Sequence, residues 1–468
     1  MYYREDSTIV ALSSAAGVAG IAVLRLSGRD AGPIAASVFK EARCRKKFTE
    51  GPSHTIHYGW IVTPEGERVD EVLLMWMKAP HSYTGEDTVE INCHGGPYVS
   101  HRVMEVLVEA GAVPAEPGEY SKRAYLNGKM DLTKAEAVMD VISAETALSL
   151  KASVSQLRGS LFEKTEMLRL QLLDLLTETE VNIDYPEYEV PEVSLERMVT
   201  VCEKVGAQAQ ALYDTAETGM LLKNGIRTAI IGAPNVGKSS LLNLLAGSDR
   251  AIVTDIPGTT RDTLEERINL DGVPLCIVDT AGIRETQDTV EKIGVERARR
   301  ALEESQLVLM VLDAARALTE EEKELYQSLS GKTRLVLLNK CDAATYTAEE
   351  LISEWAEVDP ELASRLICLS AKEGTGLDQL SARIKEMFLG GITINDHTAM
   401  ITNLRQKESL KKAIEALQRV CEAGRAGFEL DLLAIDLREA HDALGEISGH
   451  TVNSDLTDQI FSRFCLGK

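Results

Sequence analysis

The sequence lacks the features that mark several classes of protein. No apolar run approaches the length of a membrane span, and the first residues, MYYREDSTIV, do not have the layout of a signal peptide. The eight cysteines include no CxxC pair, the closest two in sequence being Cys341 and Cys368, and no His-Glu-x-x-His pattern occurs. We therefore expect no disulfide framework, no zinc site and no membrane contact, and we expect a cytoplasmic protein in a reducing compartment.

Basic residues are also scarce relative to acidic ones. Lys and Arg total 50 against 73 Asp and Glu, which gives a formal net charge of −23. This balance excludes a chain that coats itself on nucleic acid by charge alone. It permits a local basic site, or a partner subunit that holds the nucleic acid. At 468 residues, with 44% hydrophobic and 26% charged residues, the chain is expected to form a globular protein of more than one domain.

The spacing of apolar residues divides the chain into four segments. The first alternates strand-like and helical runs and predicts a mixed α/β domain. The second has helical spacing, and Thr133 and Glu136 match a capping box at its start. The third alternates buried-looking strands with helices, which predicts a parallel α/β domain, and the fourth is helical again. We predict that the third segment is inserted into one helical domain, with two separate helical domains as the alternative. The predicted bounds are 1–130, 131–220, 221–388 and 389–468.

The third segment contains a phosphate-binding pattern. GAPNVGKSS (232–240) follows an apolar run and precedes a helical one, and it matches G-x-x-x-x-G-K-S. Its glycines let backbone N–H groups surround phosphates, while Lys238 reaches the β- and γ-phosphates. The Ser239 hydroxyl is a predicted Mg²⁺ ligand. TDIPGTTRD (254–262) supplies the second one, Thr260, where switch I closes on the metal.

Three further elements follow in the order of a Ras-like P-loop GTPase. They are DTAG (279–282), NKCD (339–342) and SAK (370–372), each after an apolar strand. In this fold Asp342 accepts the N1 and N2 hydrogens of guanine, Lys340 packs over the base and the amide of Ala371 meets O6. The residues predicted to bind GTP are Asn235, Val236, Gly237, Lys238, Ser239, Ser240, Thr254, Asp255, Ile256, Pro257, Gly258, Thr259, Thr260, Asp279, Thr280, Ala281, Gly282, Asn339, Lys340, Asp342, Ser370, Ala371 and Lys372.

The residue that normally orients the attacking water is missing. After Gly282, where the Ras-like scheme has a polar side chain, this chain has Ile283. One replacement is a potassium ion held by the amide oxygen of Asn235 and by carbonyls near Thr254 and Ile256. Such an ion stabilises the charge that an arginine finger otherwise stabilises.

A second replacement is Glu291, at the start of the helical run VEKIGVERARRALEES. Its carboxylate can orient a water, although an acidic residue at a helix N-terminus is also favoured by the helix dipole alone. Arg261 and Arg284 are alternative arginine fingers in the same chain. The predicted catalytic residues are Glu291, Lys238 and Asn235.

Stretches outside the common GTPase motifs resemble the MnmE (TrmE) family of tRNA-modification GTPases. They are PGEYSKRAYLNGKMDLTKAEAVMDVISA (117–144), YTGEDTVEINCHGGP (83–97) and the terminal FCLGK (464–468). The resemblance extends over essentially the whole chain. LSSAAGVAG (12–20) departs from the Gly/Pro-rich loop usual in the family.

The resemblance implies a function and a set of partners. The N-terminal domain is expected to form a homodimer and to bind a formyl- or methylene-tetrahydrofolate. The G domains are expected to meet across the dimer with potassium, which adds Thr259 to the predicted potassium ligands and favours Glu291. With an FAD- and NADH-using subunit, MnmG (GidA), in a heterotetramer, the family adds an aminomethyl or carboxymethylaminomethyl group to C5 of the wobble uridine of certain tRNAs.

The resemblance also implies residues for the folate. They are Arg25, Glu90, Lys129 and the terminal Lys468, because a basic group suits a glutamate tail and a carboxylate suits the N–H edge of a pterin. Cys465 is a candidate catalytic thiol or, alternatively, a buried structural one.

A different class of function remains open at this stage. A regulatory GTPase of ribosome assembly would have the same G domain and would modify no RNA. The folate-like N-terminal segment argues against it, and no Gly-x-x-Gly loop of KH type occurs after residue 390.

Overall fold

The structure is a computed structural model. It describes residues 7–42, 48–184, 194–248, 266–278, 302–355, 359–390, 395 and 398–468. Contacts divide the chain into two units, one of Met1–Met139 with Gly445–Lys468 and one of Asp140–Leu444. The four segment bounds given above remain predictions.

The elements of the described residues are numbered in chain order. The strands are β1 (Ile9–Leu12), β2 (Ile21–Ser27), β3 (Phe39–Glu41), β4 (Thr55–Val62), β5 (Arg68–Met77), β6 (Thr88–His94), β7 (Val113–Pro114), β8 (Ile226–Ile231), β9 (Glu266–Leu270), β10 (Val273–Ile277), β11 (Leu307–Asp313), β12 (Arg334–Asn339) and β13 (Leu366–Cys368). The helices are α1 (Ala31–Val38), α2 (Pro97–Glu109), α3 (Glu119–Leu126), α4 (Leu132–Ser143), α5 (Ala147–Leu157), α6 (Ser160–Asp184), α7 (Leu195–Tyr213), α8 (Ala216–Asn224), α9 (Lys238–Ser248), α10 (Glu320–Ser328), α11 (Ala348–Trp355), α12 (Leu362–Arg365), α13 (Leu377–Leu389), α14 (Leu404–Arg425), α15 (Leu430–Ser448) and α16 (Ser454–Phe461).

The first unit is built on one mixed sheet. Its described strands lie in the order β3-β4-β5-β6-β2-β1-β7. β2 and β6 are antiparallel, with Leu24 opposite Ile91 and Arg25 opposite Glu90. Leu24 and Ile91 are fully buried in the core that α1 and α2 complete. Because side chains alternate between the two faces of a strand, this register puts Arg25 and Glu90 together on the opposite face.

The C-terminal helix packs within this first unit. Phe461 and Phe464 are buried against Leu132 and Ala135, and α16 contacts α3. Gly118, which precedes α3, has a φ of +71°, and a Cβ there would lie 2.2 Å from the Phe461 carbonyl oxygen. Glycine therefore permits both the turn and the close approach of the two chain segments.

The second unit contains a mainly parallel sheet. The order of its described strands is β13-β12-β11-β8-β10-β9, in which β9 pairs antiparallel with β10 and the other pairs are parallel. Every residue of β11 is buried, as expected for a parallel strand covered on both faces. The carboxyl ends of β8, β12 and β13 lie at one edge, so the loops that follow them meet there.

Helices from both sides of this sheet segment pack on each other. α7 lies before it in the chain and α14 after it, and the two helices contact each other along much of their length. Cys202 and Val205 of α7 and Leu417 and Cys421 of α14 are buried. The insertion of an α/β domain into one helical domain is thus confirmed.

The predicted capping box at Thr133 is wrong. Thr133 lies inside α4, and Asp131 caps the helix instead: its Oδ1 accepts hydrogen bonds from the amides of Thr133 at 2.9 Å and Lys134 at 3.1 Å. A carboxylate at this position satisfies two amides of the first turn and also interacts favourably with the helix dipole.

Candidate functional site

The phosphate-binding loop connects β8 to α9. Gly232, Asn235 and Gly237 have φ values of +149°, +64° and +101°. Left-handed residues within a short loop direct backbone N–H groups to one side, and the first turn of a helix presents its amides at the same end. A Cβ at Gly237 would lie 2.2 Å from Nδ2 of Asn339, so glycine is needed for this close approach. The loop therefore has the shape that an anionic phosphate requires.

The cationic and hydroxyl groups of the loop follow at the start of α9. The Nζ of Lys238 donates to the carbonyl oxygens of Gly232 and Ala233, each at 2.8 Å. Burial lowers the pKa of Lys238. Ser239 and Ser240 are exposed on the first turn. The side chain of Lys238 thus folds back onto the phosphate-binding loop, where it is predicted to bind the β- and γ-phosphates.

Asn339 ties the base-binding loops to the phosphate loop. Its Nδ2 donates to the Val236 carbonyl at 2.8 Å, and its Oδ1 accepts from the amide of Ala371 at 2.9 Å. It is 2% exposed, so these two bonds are shielded from water. The amide of Ala371, which was predicted to meet O6 of guanine, is here bonded to Asn339.

The acidic residue predicted to read the base is held by its neighbour. Oδ1 of Asp342 accepts from the Ser370 hydroxyl at 2.6 Å, and this bond lowers the pKa of Asp342. Lys340 has a φ of +65°, and its Nζ contacts Asp313 Oδ2 at 2.5 Å and the Asn235 carbonyl at 3.0 Å. The structure therefore brings NKCD, SAK and the phosphate loop together at one sheet edge, with Lys372 exposed beside them.

Many of the predicted nucleotide and metal residues lie outside the described residues. Of the Mg²⁺ pair only Ser239 is described, and of the potassium set only Asn235, which is exposed. The predicted residues outside the described ranges are Thr254, Asp255, Ile256, Pro257, Gly258, Thr259, Thr260, Asp279, Thr280, Ala281, Gly282 and Glu291, and Arg261, Ile283 and Arg284 lie outside them too.

A second cluster of predicted residues lies on the sheet of the first unit. Arg25 and Glu90 form an ion pair, with Nη2 to Oε1 at 2.7 Å and side chains 13% and 18% exposed. The terminal Lys468 lies beside them. Its pKa is lowered by burial and by the positive charge of Arg25, while Glu90 raises it. Three of the four residues predicted to bind folate are therefore neighbours, although Lys468 follows Arg25 by nearly the whole chain.

The chain terminus is fixed by backbone contacts. The Gly467 carbonyl accepts from the Ser13 hydroxyl at 3.1 Å and from Arg25 Nη1 at 3.5 Å. Gly467 is buried with a φ of +88°, and a Cβ there would lie 2.4 Å from the Leu12 carbonyl oxygen. The half-buried Cys465 uses its carbonyl to accept from the Gly118 amide at 3.4 Å.

Lys129, the fourth residue predicted to bind folate, contacts the loop that precedes β6. Its Nζ donates to the Pro80 carbonyl at 2.9 Å. The side chain also covers Gly85, whose φ is +81°. Lys129 thus braces the loop that precedes β6 in this structure.

Several residues that shape the two sites were not among those predicted. Tyr83 and Tyr120 flank Arg25, whose Cζ is 5.4 and 5.6 Å from their ring centroids, and the Tyr120 hydroxyl donates to the Arg25 carbonyl at 2.6 Å. Asp313 holds Lys340. Tyr83 and Tyr120 lie within the quoted family-like stretches, and Asp313 ends a strand-like run, so position in the sequence was a usable signal for all three.

A phosphate loop between a strand and a helix, with NKCD and SAK at the same edge of a parallel sheet, defines a P-loop GTPase. The family model "MnmE helical domain" matches residues 132–465, and "GTP-binding protein TrmE N-terminus" matches residues 8–129. The chain therefore belongs to the MnmE family of tRNA modification GTPases.

Individual relatives match at full length. The tRNA modification GTPases MnmE of Ligilactobacillus salivarius and Enterococcus faecalis are each 47% identical, over 100% and 99% of this chain and 99% of theirs. A crystal structure of an Aquifex aeolicus Era variant bound to GDP and AlF4⁻ is 31% identical over 40% of this chain and 65% of that one, with a TM-score of 0.28. The two full-length MnmE relatives identify this chain as a GTPase.

Within the part of the chain that the structure describes, no helix combines the length and the apolar character needed to cross a membrane.

Proposed function

We propose that this GTPase is the GTP-hydrolysing subunit of a complex that modifies C5 of the wobble uridine in certain tRNAs. The added group is aminomethyl or carboxymethylaminomethyl, and its one-carbon unit comes from a formyl- or methylene-tetrahydrofolate. The observation that carries the proposal is the meeting of Arg25, Glu90 and the terminal Lys468 in a chain that also has a GTP site.

The cluster of Arg25, Glu90 and Lys468 fits a folate in its chemistry. A pterin presents an N–H edge that a carboxylate can accept, and a glutamate tail presents carboxylates that arginine and lysine can bind. Glu90 would accept hydrogen bonds from the pterin N–H edge. Arg25 and Lys468 would bind the carboxylates of the glutamate tail. The tyrosine rings on Arg25 keep its guanidinium oriented. Lys129 would bind only the outer part of the ligand, since it bonds to Pro80.

The nucleotide site fits GTP with Mg²⁺. Ser239 and Thr260 would hold the metal, which neutralises phosphate charge, and Asp342 would select guanine. Glu291 would orient the attacking water, and Asn235, Thr254, Ile256 and Thr259 would hold a potassium ion.

The proposed assembly supplies a second G domain, redox chemistry and a surface for tRNA. A homodimer formed by the N-terminal domain brings two G domains within reach of each other. An FAD-dependent MnmG (GidA) subunit supplies redox chemistry in a heterotetramer, and it also supplies binding surface for tRNA, which a net charge of −23 does not favour on this chain. The compartment proposed is the cytoplasm, where tRNA is found.

Mass spectrometry of tRNA nucleosides tests the proposal. Cells without this chain should lose the C5-modified wobble uridine, and a plasmid copy should restore it. Unchanged tRNA nucleosides together with accumulated ribosomal precursors would instead support a GTPase of ribosome assembly.

GTP hydrolysis is expected to depend on potassium, because Ile283 cannot position water and Asn235 offers an amide oxygen at the phosphate loop. Rates in potassium chloride should exceed those in sodium chloride of equal ionic strength by about tenfold or more. Asn235→Ala should abolish this difference and leave nucleotide binding largely intact. Asn235→Gly removes the same amide and tolerates the φ of +64°.

Asn243→Ala, on the exposed face of α9, is the matched control and should keep the potassium response. Equal rates of the unmodified protein in the two salts would remove the cation from the mechanism.

A further inference from the structure

Two cysteines lie next to the loops that are proposed to bind guanine. Cys341 is the variable residue of NKCD, between Lys340 and Asp342, and Cys368 ends β13, just before the SAK loop. β12 and β13 are parallel, with Leu338 opposite Cys368. Because NKCD continues directly from β12, this register brings both cysteines to the same end of the strand pair.

Backbone contacts hold the two positions together. The amide of Cys341 donates to the Leu369 carbonyl at 3.2 Å, and the Cys341 thiol donates to the Leu338 carbonyl at 3.0 Å. Leu369 directly follows Cys368, so this backbone bond places the two cysteines side by side, and Cys368 is near enough to contribute to the raised pKa of Cys341. Cys368 is exposed, whereas Cys341 is half-buried. One thiol is thus open to reagents in solution, and the second belongs to the neighbouring strand end.

We propose that Cys341 and Cys368 form an oxidisable dithiol whose disulfide weakens guanine nucleotide binding. A peroxide is the oxidant. The exposed Cys368 attacks one peroxide oxygen and becomes a sulfenic acid as water leaves. Cys341 then attacks that sulfur, the S–O bond breaks and a second water leaves. The two thiols lose two electrons and two protons in total, and the peroxide is reduced to two waters.

The protonation of Cys341 controls the second step. Burial, followed by the nearby Cys368, raises the pKa of Cys341 to about 11. The reactive thiolate is therefore a small fraction at neutral pH and grows as pH rises toward that value. Disulfide formation should accordingly be faster at pH 9 than at pH 7.

The short S–S bond explains why the disulfide should weaken nucleotide binding. This step rests on the proposed guanine site. A disulfide holds its sulfurs about 2.05 Å apart, closer than any hydrogen-bonded pair of thiols. Cys341 must therefore move toward β13. Lys340 and Asp342, its neighbours on either side, are carried with it. Asp342 is already bonded to Ser370 and Lys340 to Asp313, so a small displacement disturbs both base contacts.

The same unit offers an internal reference pair. Cys202 on α7 and Cys421 on α14 lie on helices that pack on each other, and their side chains are 0% and 7% exposed. Their burial raises the pKa of both thiols, to about 12 for Cys202. Without an exposed partner to start the reaction, this pair should react with peroxide far more slowly.

Peptide mapping tests the bond itself. Trypsin cleaves after Lys340, Arg365 and Lys372, which places Cys341 and Cys368 on separate peptides. After treatment of the full chain with hydrogen peroxide, these two peptides should be found joined, with the loss of two hydrogens, and dithiothreitol should separate them. Absence of the joined peptide, or joining through other cysteines instead, overturns the proposal.

Nucleotide titration tests the consequence. The oxidised protein should bind GDP at least tenfold more weakly than the reduced protein, and dithiothreitol should reverse the change. Cys368→Ser should keep its affinity in peroxide, whereas the control Cys421→Ser should lose it as the unmodified chain does. A mapped disulfide with unchanged affinity overturns the effect on binding. Since mapping needs no nucleotide, it separates failure of the dithiol from failure of the guanine site.

Discussion

Asp342→Asn is expected to lower the affinity for GTP by on the order of 100-fold, because one hydrogen bond to an ionised carboxylate is replaced by two opposed donors and the other becomes a bond to a neutral amide oxygen. An asparagine has one acceptor and one donor where guanine presents two donors. The donor matches the C2 oxygen of xanthine, so the variant should prefer xanthosine triphosphate. Calorimetric titration with both nucleotides measures the change. Ser370, which bonds to Oδ1, is expected to keep the side chain in place.

The control for this variant is Asp271→Asn, which makes the same change of charge. Asp271 lies in the turn between β9 and β10, at the edge of the sheet opposite the nucleotide loops, and its carboxylate is 73% exposed. Its φ of +48° is a conformation that asparagine tolerates. This control should bind GTP normally. If Asp342→Asn also does so, the guanine site has been assigned to the wrong residue.

The strands of both units could be predicted from the sequence because their local patterns are strong. LVLMVLD is apolar up to its final aspartate, and the structure has it as β11 over Leu307–Asp313, buried throughout. In TVEINCH the apolar residues alternate with polar ones, and β6 is Thr88–His94, with one face in the core. Patterns of this kind depend only on neighbours in the chain.

The helical pattern was predictive where the helix is continuous. Leu161, Leu168, Leu172 and Leu175 are buried in α6 as their spacing indicates. Leu157 fits the same spacing but is 38% exposed, because α5 ends there and Gly159, with a φ of +99°, turns the chain before α6 begins. A turn of this kind interrupts a pattern that the sequence alone makes look regular.

The contacts that complete the sites could not be predicted, since they join residues far apart in the chain. Arg25 pairs with Glu90 because of the register between β2 and β6, and Asn339 reaches Val236 because β12 and β8 end at one edge. The residue types alone suggested that Arg25, Glu90 and Asn339 bind ligands. The strand order shows in addition that these side chains bond to other parts of the protein, and those bonds hold them in position.

The largest effect on tRNA modification is expected from removal of the last four residues, CLGK. Deletion takes away Lys468 beside Arg25 and Glu90, and it removes the Gly467 carbonyl that Ser13 and Arg25 hold. Loss of a charged contact should weaken binding of a formyl-tetrahydrofolate by about tenfold or more, and modification should be abolished. GTP hydrolysis should persist, because the nucleotide loops belong to the other unit.

Point variants separate the position of the tail from its mere presence. Gly467→Ala adds a methyl group 2.4 Å from the Leu12 carbonyl oxygen, in a backbone conformation that alanine disfavours, so the terminus must shift. This variant should reproduce much of the folate defect with Lys468 still present. Leu466→Ala, which trims a side chain 53% exposed, is the matched control and should bind folate normally. The truncation, Gly467→Ala and Leu466→Ala all leave the buried Phe461 and Phe464 in place, so α16 should stay packed. Isothermal titration with a formyl-tetrahydrofolate decides the matter. Equal affinities for the intact, truncated and Gly467→Ala proteins would show that the terminus is no part of the folate site.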